Sequence, residues 1–130
     1  MPQFPEKYRG DPSNIIYRSG WELTAFEWCD LNPHVIAWAS EEKAIPYYMR
    51  GSRYPKKYFP DLLIYFRRDG TVMVEIKPKE EKLKPSYQNT CKWAEASAHC
   101  EEKGWKFINW DETVIDKFHP KINHWHRGQR

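Results

Sequence analysis

Asp61, Glu75 and Lys77 are the residues of this chain whose types and spacing could do chemistry on a phosphate ester. Pro60 precedes the aspartate, thirteen residues separate it from Glu75, and Ile76 alone stands between Glu75 and Lys77. Two carboxylates held close together repel, and one of them keeps its proton unless a cation is shared between them. Lys77 offers one positive charge. A hard divalent cation offers more, and carboxylate oxygens with open water positions suit Mg²⁺ or Mn²⁺. Such an ion lowers the pKa of a bound water and stabilises the charge that develops on a phosphodiester, while an adjacent ammonium orients the water or the phosphate. Hydrolysis of a nucleic-acid backbone is the reaction these parts suit. DNA and RNA present the same phosphodiester, so these residues do not choose between them.

The elements that must bring the three together are a pair of strands, Tyr58 to Phe66 and Thr71 to Lys77, turning near Arg68-Asp69-Gly70. A two-residue loop would pair Arg68 with Thr71 and mix apolar and charged residues on both faces. A three-residue loop, with Gly70 in the left-handed conformation, pairs Arg67 with Thr71 and sets Leu62, Ile64 and Phe66 opposite Ile76, Val74 and Val72. Burying that apolar face, at about 1.5 to 3 kcal/mol per large side chain, selects the second register. Its other face then carries Asp61 opposite Lys77, Leu63 opposite Glu75 and Tyr65 opposite Met73.

Around the hairpin, residues 1–16 read as a loosely draped, Pro-containing arm. Ser19-Gly20-Trp21-Glu22 matches a capping box, and the helix it opens ends at Asn32-Pro33. Short strands are expected over 34–40 and 45–50. Arg50, Arg53, Lys56 and Lys57 follow in a loop with no acidic residue. Pro78 and the Lys/Glu-rich stretch to Pro85 close the hairpin's second strand. A helix over 86–103 turns Trp93, Ala94, Ala96 and Cys100 to the core and stops at Gly104. A strand over 105–109 and a short helix over 111–118, capped by Asp111, complete a 17–118 domain. Residues 119–130 form a basic tail. The economical packing is an α/β fold, a mixed central β-sheet flanked by helices.

Composition narrows the class. The 130 residues make one domain, and the aromatic content of 16% is too rich for disorder. A charged fraction of 30% and the lack of any long apolar run argue against a membrane span. The N-terminal residues show no basic-then-apolar leader, so a soluble, cytoplasmic protein is expected. Three cysteines are too few for a disulfide framework. Cys91, His99, Cys100, His119, His124 and His126 lack zinc-ligand spacing. Lys plus Arg number 21 against 18 Asp plus Glu, a balance that permits nucleic-acid binding without arguing for it.

Pro60-Asp61 followed by Glu75-Ile76-Lys77 resembles the PD-(D/E)xK nuclease motif, and the flanking helices with Glu22 and Lys92 stand where that fold has them. The resemblance implies a restriction-endonuclease-like core of αβββαβ order, with one additional or split strand here. More narrowly, Arg18 to Glu22, the basic loop before Phe59-Pro60-Asp61, and Lys92-Trp93-Ala94 through Gly104-Trp105-Lys106-Phe107 resemble the head completion nucleases of tailed phages and the related endonuclease subunit of bacterial transposases. The resemblance covers about residues 17 to 112. It implies that Glu22, Asp61 and Glu75 bind Mg²⁺ or Mn²⁺ and that Lys77 assists the nucleophilic water. It also implies a role in finishing phage heads, in the host cytoplasm or with the virion, alongside head or portal proteins. Arg50, Arg53, Lys56, Lys57 and Lys92 are the expected DNA contacts, because phosphate neutralisation dominates affinity. With no room for a recognition domain, structure-selective or end-trimming cleavage is expected. The competing reading is an assembly protein that binds DNA ends or a portal and keeps the nuclease fold without catalysis. A purely capping role for Glu22, and a surface ladder of Asp61, Glu75 and Lys77, are the bland alternatives.

Overall fold

A computed structural model describes residues 2–118. Its main sheet has the order β1 (Val35–Ala39), β4 (Leu62–Phe66), β5 (Gly70–Ile76), β6 (Lys106–Trp110). The first three strands are antiparallel and β6 runs parallel to β5, so the sheet is mixed. A parallel partner needs a crossover. Helices α2 (Lys79–Leu83) and α3 (Tyr87–Lys103) occupy it. With α1 (Gly20–Leu31) ahead of β1 and α4 (Glu112–Ile115) behind β6, the core order is αβββαβ with a closing helix.

The extra strand expected from the sequence is a separate two-stranded sheet, in which β2 (Ile45–Tyr47) pairs antiparallel with β3 (Lys56–Tyr58). The run read as one strand from Tyr58 to Phe66 is therefore broken at Phe59-Pro60-Asp61. Proline cannot donate to a ladder, and here it marks the point where the chain leaves one sheet for the other. Lys56 and Lys57 consequently lie in a strand rather than in the preceding loop.

Both faces of the main sheet are covered. Leu62, Ile64, Val72, Val74 and Ile76 pack with Phe26, Cys29 and Trp38 beneath α1. Leu63 and Met73 pack on the other side with Ile45, Tyr47, Tyr58, Ala96 and Cys100. Cys100 and Ala96 of α3 are buried as expected, whereas Ala94 is exposed. Trp110 is buried, and Trp21, Trp28, Trp93 and Trp105 pack half-buried against the two cores.

The hairpin register differs from the expected one by two residues. Phe66 pairs with Gly70, Tyr65 with Thr71, Ile64 with Val72 and Leu62 with Val74. The loop is thus Arg67-Arg68-Asp69, and Gly70, at φ 83°, joins the ladder as its first residue. A shift of two preserves which residues share a face and changes only their opposite numbers.

The N-terminal segment is docked rather than draped. Tyr8 is buried and bridges Trp38 in parallel, and the Gln3 and Phe4 N–H groups donate to the Asp30 carboxylate at 2.7 and 2.9 Å. Lys7 Nζ donates to the carbonyls of Cys29, Asp30 and Asn32. These are acceptors that the end of α1 leaves without an intrahelical partner. The tail expected over 119–130 lies outside the described residues.

Candidate active site

Continuing the observed pairing one step beyond Leu62 and Val74 places Asp61 opposite Glu75, where the expected register had set it opposite Lys77. Asp61 sits at the entry to β4 and its Oδ2 accepts the Ile76 N–H at 2.7 Å. Glu75, on the penultimate position of β5, is 3% exposed. Trp93 Nε1 of α3 donates to its Oε2 at 3.3 Å. Burial, and then the charge of Glu75, push the Asp61 carboxyl up to about 9. The pair therefore shares a proton when no cation accompanies it.

Glu22 occupies the third position of α1. The Ser19 hydroxyl accepts the Glu22 N–H at 3.2 Å, as a capping box requires, but Glu22 Oε1 accepts the N–H of Arg18 at 3.0 Å rather than that of Ser19. Burial raises its carboxyl, and the charges of Glu41 and Glu75 add to that. Glu22, Asp61 and Glu75 are thus near enough to repel one another. They do not converge on one point: among the described residues no group of three His, Cys, Asp or Glu side chains is arranged to enclose a metal ion.

Lys77 is the first residue beyond β5, anchored by its N–H to the Trp110 carbonyl at 3.0 Å. Strand alternation sets it on the same face as Glu75 and Met73. Among the described residues it forms no ion pair within 4.0 Å. Arg18 is the cation whose charge reaches both Glu22 and Asp61, and its guanidinium pairs with Glu41. Neither Arg18 nor Glu41 stands out as a site residue in the sequence, because the contact between them joins segments 23 residues apart.

Tyr58 is a further neighbour that sequence reasoning missed. It is 3% exposed at the end of β3, with its hydroxyl beside the Glu75 carboxylate. Burial and the nearby charge of Glu75 raise its phenol. Lys92 lies with its ammonium 5.7 Å from the Tyr58 ring centre, so of the expected DNA contacts it is the one beside the carboxylates. Arg50, Arg53, Lys56 and Lys57 are exposed on β3 and the loop before it. The Arg50 N–H donates to the Tyr87 hydroxyl at 3.0 Å, and Gln88 Nε2 donates to that of Tyr47 at 2.8 Å, which tie the small sheet to α3.

Residues 32–112 match the family described as TnsA-like endonuclease N terminal. That span contains Asp61, Glu75 and Lys77 and begins after Glu22. The chain is also 37% identical over 127 residues to the head completion nuclease of Enterobacteria phage T4, an alignment covering 82% of this chain and 85% of that protein.

Proposed function

The chain belongs to the TnsA-like endonuclease N-terminal family, nucleases of the restriction-endonuclease-like type, and from that premise we propose that it is a metal-dependent DNA endonuclease acting in phage head completion. The observation that carries the reading is half-buried Asp61 facing buried Glu75. Each carboxylate is held by a hydrogen bond to one oxygen, Oδ2 from Ile76 and Oε2 from Trp93. A carboxyl that burial, and then the charge of Glu75, lifts to about 9 has the hard-oxygen chemistry that a divalent cation suits. Asp61 and Glu75 would hold Mg²⁺ or Mn²⁺, with Glu22 completing the set once its oxygen exchanges the Arg18 amide. Such an ion supplies Lewis acidity and a water of lowered pKa.

The chain's own groups do the rest. Trp93 keeps the Glu75 carboxylate turned toward Asp61. The Lys77 ammonium, on the same strand face, orients the attacking water or the phosphate. Lys92, Arg50, Arg53, Lys56 and Lys57 hold the backbone in place by neutralising phosphates. Selectivity comes from DNA structure or from a head or portal partner. The engagement of Glu22 by Arg18 favours the second reading, a DNA-end or portal-binding assembly protein without catalysis.

Cleavage of linear and branched DNA with Mg²⁺ or Mn²⁺ separates the two. The nuclease reading expects cleavage that EDTA abolishes and that Asp61→Ala or Lys77→Ala lowers by two or more orders of magnitude, with thermal unfolding still cooperative. Cleavage undiminished in both variants removes the site assignment. DNA binding with no metal-dependent cleavage supports the assembly reading.

A further inference from the structure

The ends and the connecting loop of the β2–β3 sheet carry aromatic rings that the fold does not bury. The sheet's inner face is committed: Ile45, Tyr47 and Tyr58 are each 3% exposed or less within the second core. On the outer face Pro46 lies opposite Lys57, and Tyr48 and Phe59, each one residue beyond its strand, continue the alternation toward that side. Tyr48 is 62% exposed and Phe59 44%, while Tyr54, in the loop joining the strands, is 72% exposed. With Tyr87, whose hydroxyl holds the Arg50 amide, they are four of the five exposed large aromatic residues among those described. Aromatic rings are normally a domain's best core material, so their exposure around the ends of one small sheet, its loop and the adjoining start of α3 calls for a ligand.

The charge of the same segment says which. Residues 43–60 hold five cations and no acidic residue, and they run directly into Asp61. Rings interleaved with cations match a polynucleotide whose bases are unpaired: phosphates meet Lys and Arg, and exposed base faces stack on Tyr and Phe. In an intact duplex those base faces are already covered by their neighbours, and only the phosphates remain for a surface of this kind. The sheet is braced by the Gln88–Tyr47 and Arg50–Tyr87 bonds, so the rings are presented from a fixed platform.

We propose that the outer side of β2–β3 and its connecting loop, through Tyr48, Tyr54 and Phe59 with Lys57, bind an unpaired DNA strand and lead it toward Asp61 and Glu75. This rests on the nuclease reading for its biological use and sharpens it, naming single-stranded ends, flaps or gaps as the substrate class.

The test measures binding by fluorescence anisotropy with the full chain in EDTA, where no cleavage intervenes. The probes are a labelled mixed-sequence 20-nucleotide DNA strand, its blunt duplex and the matched RNA strand. The single DNA strand is expected to bind about tenfold or more tightly than the duplex. Tyr48→Ala and Tyr54→Ala each lower single-strand affinity about tenfold, leave duplex affinity within twofold, and leave the salt slope unchanged. Lys57→Ala weakens both DNA probes and lowers the slope by roughly one phosphate contact. Both tyrosines are exposed, and an unchanged thermal midpoint verifies that the variants fold. Equal binding of strand and duplex, aromatic variants that bind like the parent, or preference for the RNA strand overturns the proposal. Metal-dependent cleavage of duplex DNA that persists in either case leaves the nuclease reading standing, so the two failures are distinguishable.

Discussion

Asp61 is a carboxyl whose pKa is raised by burial and by the facing Glu75, so that the two share a proton when no cation is present. Its pKa rises from 3.8 to about 9 through burial and the facing Glu75. The folded state therefore binds this proton more tightly than the unfolded state. The stabilisation is fully present below about pH 4 and is lost as pH climbs through about 9. In EDTA the thermal midpoint is expected to fall between pH 5 and pH 9, and Asp61→Asn, which cannot ionise, should flatten that fall. A midpoint that rises over this range in the parent would show that Asp61 does not hold its proton beside Glu75. Trp93 acts on the neighbouring carboxylate. Trp93→Phe keeps an aromatic side chain, though a smaller one, and removes the Nε1–H that Glu75 Oε2 accepts, so Mn²⁺ affinity measured calorimetrically should drop by about tenfold or more. The Asp61–Glu75 proximity was legible in the sequence because face parity survives a two-residue shift of register. Which residue faces Asp61 was not, because that depends on where the glycine enters the ladder.

Helix α1 shows how local and distant groups divide the work of positioning Glu22. Its start is written locally: Ser19 accepts the Glu22 N–H, and Ser19→Ala should cost about 1 kcal/mol in denaturant unfolding. Its end is finished from far away in sequence by the Lys7 ammonium, which donates to three carbonyls. Lys7→Met should lower stability by about 1 to 2 kcal/mol, and equal stability of that variant and the parent would reduce the arm to a passive cover. Composition read this arm as loose because polar and proline residues have no periodicity, yet one buried tyrosine and one lysine suffice to dock it. The β2–β3 sheet has the same lesson in reverse. Tyr58 continues the β-rich pattern of Leu62 to Phe66, and only the two-sheet arrangement shows that one strand ends at Tyr58 and the next opens at Leu62, with Pro60 and Asp61 between them. That break is what leaves Asp61 at a strand's mouth beside Glu75 and delivers Tyr58 to the same place.

For the whole molecule, a net charge of +3 conceals four exposed cations in the stretch that runs directly into Asp61. Arg50, Arg53, Lys56 and Lys57 are all exposed, and if each meets one phosphate the dependence of log affinity on log salt should have a slope of roughly −3. A salt titration of DNA binding in EDTA measures it, and a slope near zero would exclude this loop and strand as the backbone contact. Among the described residues no helix is long and apolar enough to cross a membrane, as the hydropathy of the chain leads one to expect. By itself the sequence determined the α/β class, the extents of α1 and α3 with their Ser and Gly caps, the shared face of Asp61, Glu75 and Lys77, and the family to which these residues point. Those features are set by periodicity, capping and side-chain type, all of which act over a few residues. The tertiary structure alone decided the splitting of the sheets, the pairing of Asp61 with Glu75, the diversion of Glu22 to the Arg18 amide, and the arrival of Trp93, Tyr58 and Lys92 at the carboxylates. These depend on contacts between distant segments, where burial and electrostatic repulsion are settled by packing and leave no local spacing to read.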